Sequence, residues 1–198
     1  MTIGTFEGFP VALVNPYHLA RRERAILNQL EAAEWAGSEG VMALLQRELA
    51  LVRELLEEVE GRIRGLLETI PESRVLMALP GVGPQVAAGV LAFLPPHLWG
   101  RAKAAASYAG PIPEREVSGK AVERSRLSKK GPPLLRRKLY MAALVAVRHD
   151  PEMRAFYHRL LSRGKRKKQA LLAVAHKLLR RMMGRLKAYH ASQLDRVA

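Results

Sequence analysis

The chain has 198 residues and carries 33 lysines and arginines against 18 aspartates and glutamates, which gives a net charge of +15. It contains no cysteine, which excludes a disulfide framework, a cysteine-ligated zinc site and a cysteine nucleophile. An apolar fraction of 48% suffices for a folded core, and no apolar run approaches the roughly 18 residues that a membrane-spanning helix needs.

The charge is divided unevenly along the chain. Residues 1–75 carry 8 basic and 12 acidic side chains, a net charge of −4, whereas residues 76–198 carry 25 and 6, a net charge of +19. A folded segment with such an excess repels itself and attracts polyanions. Nucleic acid is the favoured partner, and an anionic membrane or a merely solvated basic surface are the alternatives. We therefore expect a cytoplasmic, nucleoid-associated protein that binds DNA and no membrane.

The aspartates limit the chemistry of this chain. There are only two, Asp150 and Asp195. Sites that use two Mg²⁺ ions for phosphoryl transfer gather several carboxylates, because Mg²⁺ prefers oxygen ligands. Glu114 and Glu116 are close in sequence, but no other acidic residue lies beside them. We expect no complete metal site and no cofactor in this chain.

The first third of the chain predicts helices. Residues 9–15 form one short β-like run, and residues 18–36 read as a charged helix. Across residues 41–70, nine of nine positions of a heptad seam are apolar, which predicts a long coiled-coil-type helix. The a positions of this seam are Met42, Leu49, Leu56, Ile63 and Ile70, and its d positions are Leu45, Val52, Val59 and Leu66.

Two partners for this seam are compatible with the sequence. A second copy would make a homo-oligomer through residues 41–70, in which Glu48 and Arg53 at the g and e positions would pair across the dimer. Residues 18–36 could instead supply a partner within the chain.

A glycine-rich turn follows between two apolar segments. Residues 76–94 read LMALPGVGPQVAAGVLAFL, in which Gly81 and Gly83 permit a tight turn and Pro84 suits the first turn of a helix. The exposed N–H groups of such a helix start suit a phosphate. This pattern predicts a helix-hairpin-helix motif that grips the DNA backbone through Gly81, Val82 and Gly83, with an ordinary helical corner as the alternative.

The remaining segments predict a basic helical domain. Residues 101–109 and 132–148 suit helices, Asp150-Pro151 caps another helix through about Leu161, and a last helix covers about 167–189. Residues 110–131 read as an irregular or hairpin segment. The predicted phosphate contacts are Arg115, Lys120, Arg124, Lys129, Lys130, Arg136, Arg137, Lys165, Arg166, Lys167 and Lys168.

Several motifs in order carry a resemblance to a known family. They are LPGVGPQVAAGVLAFL, AAASYAGPIP, SGK and the long run from RLSKKGPP to AVAHKLL, which together cover about half the chain. This segment, residues 79–179, strongly resembles the C-terminal domain of the insertion sequence 110/116/902 transposases. The resemblance implies DNA transposition by an oligomeric recombinase, in which a serine nucleophile works beside an acidic RNase H-like domain. It also implies that a structured guide RNA is a possible partner.

The position that matches the family's serine is Ser118, which lies before Gly119 and downstream of the AAASYAGPIP stretch. Arg115, Lys120 and Arg124 flank it and could stabilise the charge of an attacked phosphodiester. From the residues alone, a plain loop serine remains the alternative.

One departure from the family concerns the acidic domain. Residues 1–17 resemble a remnant of that domain, in which the run GFPVALVNPYH resembles one of its late strands, and Tyr17-His18-Leu19 leads into a helix without aspartate. Any Mg²⁺ would therefore belong to the acidic domain that this chain lacks.

We accordingly expect a mainly α-helical fold, with a long coiled-coil-type arm before a compact helical domain that contains the helix-hairpin-helix motif. The expected divisions are a remnant at 1–17, a coiled-coil region at 18–71, a transposase domain at 72–190 and a tail at 191–198. The expected function is a transposase that is incomplete alone. The alternatives are a non-catalytic nucleic-acid-binding helix-hairpin-helix protein and a structural dimer.

Overall fold

The computed structural model describes residues 16–110, 113–115, 125–127 and 131–195, with side chains for 16–110 and 131–195. The described chain is mainly α-helical, as predicted. The 9–15 run falls outside the described residues. The helices are α1 Pro16–Trp35, α2 Glu39–Thr69, α3 Pro71–Met77, α4 Pro84–Phe93, α5 Ala102–Ala109, α6 Pro133–His149, α7 Pro151–Ser162 and α8 Lys167–Leu194.

The chain divides into two compact units, Met1–Leu66 and Leu67–Ala198. In the first unit, Ile26 of α1 packs against Leu49 and Val52 of α2, and all three are buried. The heptad seam of α2 is therefore covered over these turns by α1, which is the partner within the chain that the sequence left open.

Two ion pairs follow the same contact. Arg22 contacts Glu48 at 2.6 Å and Arg53 contacts Glu23 at 2.9 Å. Within the chain Glu48 and Arg53 thus pair with α1, which presents opposite charges at the same level of the helix, and their pairing across a dimer stays a prediction. Both pairs are exposed, so each stabilises the fold by less than about 1 kcal/mol.

A second apolar stripe on α2 stays exposed. Leu44 is 65% exposed and Leu51 is 56% exposed, and Val41 and Leu55 are exposed beside them. These four residues occupy c and g positions of the heptad, so they lie beside the seam on the same helix. We call them the free stripe. It differs from the seam residues that pack against α1.

The second unit is built around α8. This 28-residue helix contacts α3, α5, α6 and α7, while α6 also contacts α4 and α7. Its buried face includes Leu178, Leu179, Met182, Met183 and Leu186. Burying such side chains stabilises a fold by about 25 cal/mol for each Å² of apolar area. The core of the second unit therefore lies around α8.

Most helix boundaries lie where the capping residues and prolines in the sequence predicted them. Asp150 ends α6 and caps α7, since its Oδ1 accepts hydrogen bonds from the N–H groups of Glu152 at 2.9 Å and Met153 at 3.2 Å. The last helix continues to Leu194, five residues beyond the predicted end at Tyr189. His190 holds this extra turn in place, because its Nε2 lies 3.0 Å from the Glu72 carboxylate of α3.

The segment between α5 and α6 contains a short antiparallel pair, β1 Pro113–Arg115 and β2 Ser125–Leu127, with Glu114 opposite Arg126. The sequence left this segment as irregular or hairpin, and the two described strands pair antiparallel. No helix in the described part of the chain is long and apolar enough to cross a membrane.

Candidate nucleic-acid interface

The turn between α3 and α4 is held against α6 by a glycine. Gly81 has φ +88, a conformation that side-chain-bearing residues rarely adopt. A Cβ at this position would lie 2.7 Å from the Ala142 carbonyl oxygen and 2.9 Å from the Ala146 backbone nitrogen. Gly81 therefore permits both the turn and the close approach of the turn to α6. A side chain at this position would point into the protein.

The other two predicted contacts of this turn differ from each other. The side chain of Val82 is buried, with 4% of its surface exposed, so it belongs to the core. Gly83 is exposed and has open space where a side chain would be. It is also the N-cap of α4 and brings no capping side chain, with Pro84 in the first turn. Gly83 and the start of α4 are thus the part of this turn that faces solvent.

Basic side chains lie along the first half of α6. Arg136 is half-buried and Arg137 is exposed. Lys138 extends across α4, where its stem occupies the space above Gly89 and its Nζ donates to Gln85 Oε1 at 3.1 Å. A Cβ on Gly89 would lie 2.4 Å from the Lys138 Cδ, so this glycine makes room for the lysine stem. Lys138 therefore places a positive charge close to the first turn of α4.

The second basic cluster lies at the junction of α7 and α8. Lys165, Arg166, Lys167 and Lys168 are all exposed. Gly164, with φ +78, turns the chain there, and the Arg166 N–H donates to Gln169 Oε1 at 3.2 Å as α8 begins. Four cations at a helix start are repelled by the positive end of the helix dipole. An anion bound there would reduce this repulsion.

The two described ends of the segment that carries Ser118 lie close together in the second unit. Gly110 ends α5 in the left-handed conformation, and Gly131 precedes α6 with φ +86. A Cβ on Gly131 would lie 1.8 Å from the Tyr108 carbonyl oxygen, so both ends of the segment meet beside Tyr108. Arg115 is the last residue of β1. Outside the described residues lie Ser118, Lys120, Arg124, Lys129 and Lys130.

Comparison with known proteins identifies this unit. The model of the transposase IS116/IS110/IS902 family matches residues 73–158, which include Gly81–Gly83, Ser118 and both strands. The chain is 35% identical over 136 residues to the insertion element IS110 uncharacterized 43.6 kDa protein of Streptomyces coelicolor, covering 68% of this chain and 34% of that protein. The chain belongs to the IS116/IS110/IS902 transposase family.

Two further relatives extend this transposase assignment. The insertion element IS900 uncharacterized 42 kDa protein of Mycobacterium paratuberculosis is 28% identical over 70% of this chain and 35% of its own length. The pilin gene-inverting protein of Moraxella lacunata is 30% identical over 63% of this chain and 41% of its own length. The chain thus spans about a third to two fifths of the length of these relatives.

Two carboxylates at the start of α7 make structural contacts in this transposase-family chain. Asp150 is 5% exposed, and besides capping α7 its Oδ2 accepts a hydrogen bond from Arg181 at 2.7 Å. Lys177 lies 2.7 Å from Glu152, and its hydrogen bond and charge, together with Arg181, lower the pKa of Glu152. In α8, burial lowers the pKa of His176, and Arg180 adds to this.

These residues do not fit a Mg²⁺ site. Within the described ranges, no three histidine or carboxylate side chains come together in an arrangement that could hold a metal ion. Both carboxylate oxygens of Asp150 are occupied by protein partners, and Asp195 is exposed at the end of α8.

Sequence reasoning missed the contacts that join α7 to α8. It identified Asp150 as a cap, but Arg181 lies 31 residues further along and no local pattern links the two. It also missed Lys138, whose only sequence signal is its place beside Arg136 and Arg137.

Proposed function

We propose that this chain is the DNA-binding, serine-bearing part of an insertion-sequence transposase. The observation that carries the proposal is the family match over residues 73–158, nearly all of which lies in the segment 76–198 that has a net charge of +19. The pilin gene-inverting relative is named for a DNA rearrangement, which agrees with recombination as the reaction class. A structured guide RNA would meet the same basic surface, since RNA carries the same phosphates.

Ser118 is the proposed nucleophile. Its hydroxyl oxygen would attack a DNA phosphorus, form a serine–phosphate ester and release the 3′ or 5′ oxygen of the broken strand, which takes up a proton. Arg115, Lys120 and Arg124 lie within six residues of it in sequence and would stabilise the added negative charge on the phosphate.

The proposed chemistry is incomplete in this chain alone. A serine hydroxyl is a weak nucleophile until a base or a metal ion helps remove its proton. No histidine lies near Ser118 in sequence, the closest being His97 and His149. In this proposal, the carboxylates that would hold Mg²⁺ are supplied by another subunit or by a full-length transposase.

We expect the purified chain to bind DNA carrying element ends but to perform no strand exchange with it. Supercoiled DNA with Mg²⁺ and the chain, analysed on denaturing gels, should give no recombined product. The Ser118→Ala variant should bind the DNA with unchanged affinity, because a hydroxyl adds little to a surface of many cations. Efficient recombination by the wild-type chain that persists in Ser118→Ala would contradict both the nucleophile and the incompleteness.

A second part of the proposal concerns self-association through residues 41–70. The seam that the heptads predicted for a dimer is partly covered by α1, whereas Leu44 and Leu51 of the free stripe remain exposed. The stripe keeps heptad spacing, and burying it would remove four large apolar side chains from water. We propose that a second copy covers the free stripe.

Replacing Leu44 and Leu51 with glutamate should convert an oligomer into a monomer, because two charges would have to be buried in the contact. Sedimentation equilibrium would measure the mass, and circular dichroism should show an unchanged helix content, since both side chains are exposed in one copy. The control is Glu54→Gln and Glu57→Gln, two exposed positions of α2 outside the stripe. A wild-type chain that stays monomeric at all concentrations would exclude the oligomer.

A further inference from the structure

An apolar groove lies between the α3–α4 turn and the exposed face of α6. Its volume is about 570 Å³, and all eleven residues that line it are apolar or glycine. Met141 is 53% exposed and Val145 is 43% exposed, one turn apart on the α6 side, and Met77 and Pro80 lie on the opposite side. Large side chains left in water at this density indicate a surface that another molecule covers.

The groove is preformed. Its wall packs directly against α6, since Gly81 approaches the Ala142 and Ala146 backbone as closely as a glycine can. Leu79 and Val82 anchor the same wall in the core, each less than 5% exposed. A rigid apolar cleft of this size loses little conformational entropy on binding.

Exposed arginines lie one helical turn from lining residues on both sides of the groove. Arg74 lies one turn before Met77 on α3 and is exposed, and on α6 Arg137 lies one turn before Met141 while Arg148 lies one turn after Val145. The two α6 arginines are eleven residues apart, about 16 Å along the helix. A second copy of the same face is a poor occupant, because its arginines would meet these.

The apolar floor distinguishes between the two remaining candidate occupants of the groove, a DNA duplex and an amphipathic helix. A DNA duplex presents phosphates and sugars that would leave Met141 and Val145 without apolar contact, whereas an amphipathic helix fills a groove with side chains at i, i+3, i+4 and i+7. A helix of about eleven residues spans the distance between Arg137 and Arg148. Carboxylates flanking its apolar side chains would meet the arginines at both ends.

We propose that this groove binds an acidic amphipathic helix of a separate partner protein. The groove shares Gly81, Val82, Gly83 and the flanking Arg137 with the predicted DNA contacts, but its floor is apolar and two of its flanking arginines, Arg74 and Arg148, are not among those contacts. The partner chemistry is a helix with leucine-type anchors on one face and glutamates or aspartates beside them.

The probe is a synthetic 18-residue helix with leucines at positions 1, 4, 8 and 11, glutamates beside them and alanine elsewhere. Its control has lysine in place of every glutamate. Fluorescence anisotropy with the full chain should show binding of the acidic peptide and at least about tenfold weaker binding of the basic one. Met141→Asp should weaken binding of the acidic peptide by about tenfold or more. Ala155→Asp, at an exposed position of α7, should leave this binding unchanged.

The decisive variant reverses the charge of two of the arginines beside the groove. Arg74→Glu with Arg148→Glu should exchange the preference, so that the basic peptide binds and the acidic one does not, with an unchanged melting temperature. Equal binding of both peptides, or none, would overturn the proposal. So would a loss of DNA affinity in Met141→Asp, which would assign the groove to DNA, or a loss of self-association, which would assign it to a second copy.

Discussion

The affinity of the chain for duplex DNA is expected to fall about a thousandfold between 50 and 200 mM salt. If about six phosphates are neutralised, the logarithm of the binding constant falls with the logarithm of salt concentration at a slope near −5. The exposed cluster Lys165–Lys168 offers four of those charges at the start of α8. Replacing all four residues with alanine should reduce the slope to about −2 and weaken binding at low salt by several orders of magnitude.

The control removes the same charge elsewhere. Arg21, Arg24, Arg47 and Arg64 are exposed in the first unit, and their replacement with alanine also lowers the net charge by four. If the cluster acts by local phosphate contacts, the control should keep a slope near −5. Equal slopes in both variants would mean that the overall charge of the chain, and not this cluster, sets the affinity. Anisotropy titrations at several salt concentrations measure the slopes.

The largest expected effect on stability comes from Asp150→Ala. This change removes the N-cap of α7 and the partner of Arg181, a guanidinium that is two-thirds buried. A lost cap costs about 1 kcal/mol, and the partly buried ion pair adds a similar amount, so we expect a loss of about 2 to 3 kcal/mol. Arg181→Ala should cost less, because it leaves the cap intact.

Asp195→Ala is the matched control, since it removes the other aspartate of the chain from an exposed position at the end of α8. Urea unfolding followed by circular dichroism should place this variant within about 0.5 kcal/mol of the wild type. If Asp150→Ala were as stable as Asp195→Ala, the hydrogen bonds to Glu152, Met153 and Arg181 would contribute nothing to the fold.

Local signals in the sequence were sufficient for most of the helices. Asp150-Pro151 fixed the border between α6 and α7, and Pro84 fixed the start of α4, because a cap and a first-turn proline act through neighbouring backbone atoms. The apolar heptads likewise predicted α2 as one helix. These features depend on residues within one turn of each other.

Contacts between distant residues could not be predicted in the same way. The sequence indicated that Gly81 permits a turn, but not that its Cα packs against Ala142 and Ala146, more than sixty residues away. The heptads likewise did not decide whether α1 or a second copy covers Leu49 and Val52. The apolar groove depends on the packing of α6 against the α3–α4 turn, so no single segment of sequence displays it.

The central claim is that Ser118 attacks DNA within a transposase whose carboxylates lie outside this chain. The most direct measurement mixes the chain with element-end DNA, Mg²⁺ and a full-length family member whose own nucleophilic serine is replaced. Nuclease digestion and mass spectrometry then locate the nucleotide attached to protein. The account predicts a phosphodiester on the peptide that contains Ser118, lost in Ser118→Ala. A nucleotide attached at another residue, or none when recombined DNA is formed, would contradict it.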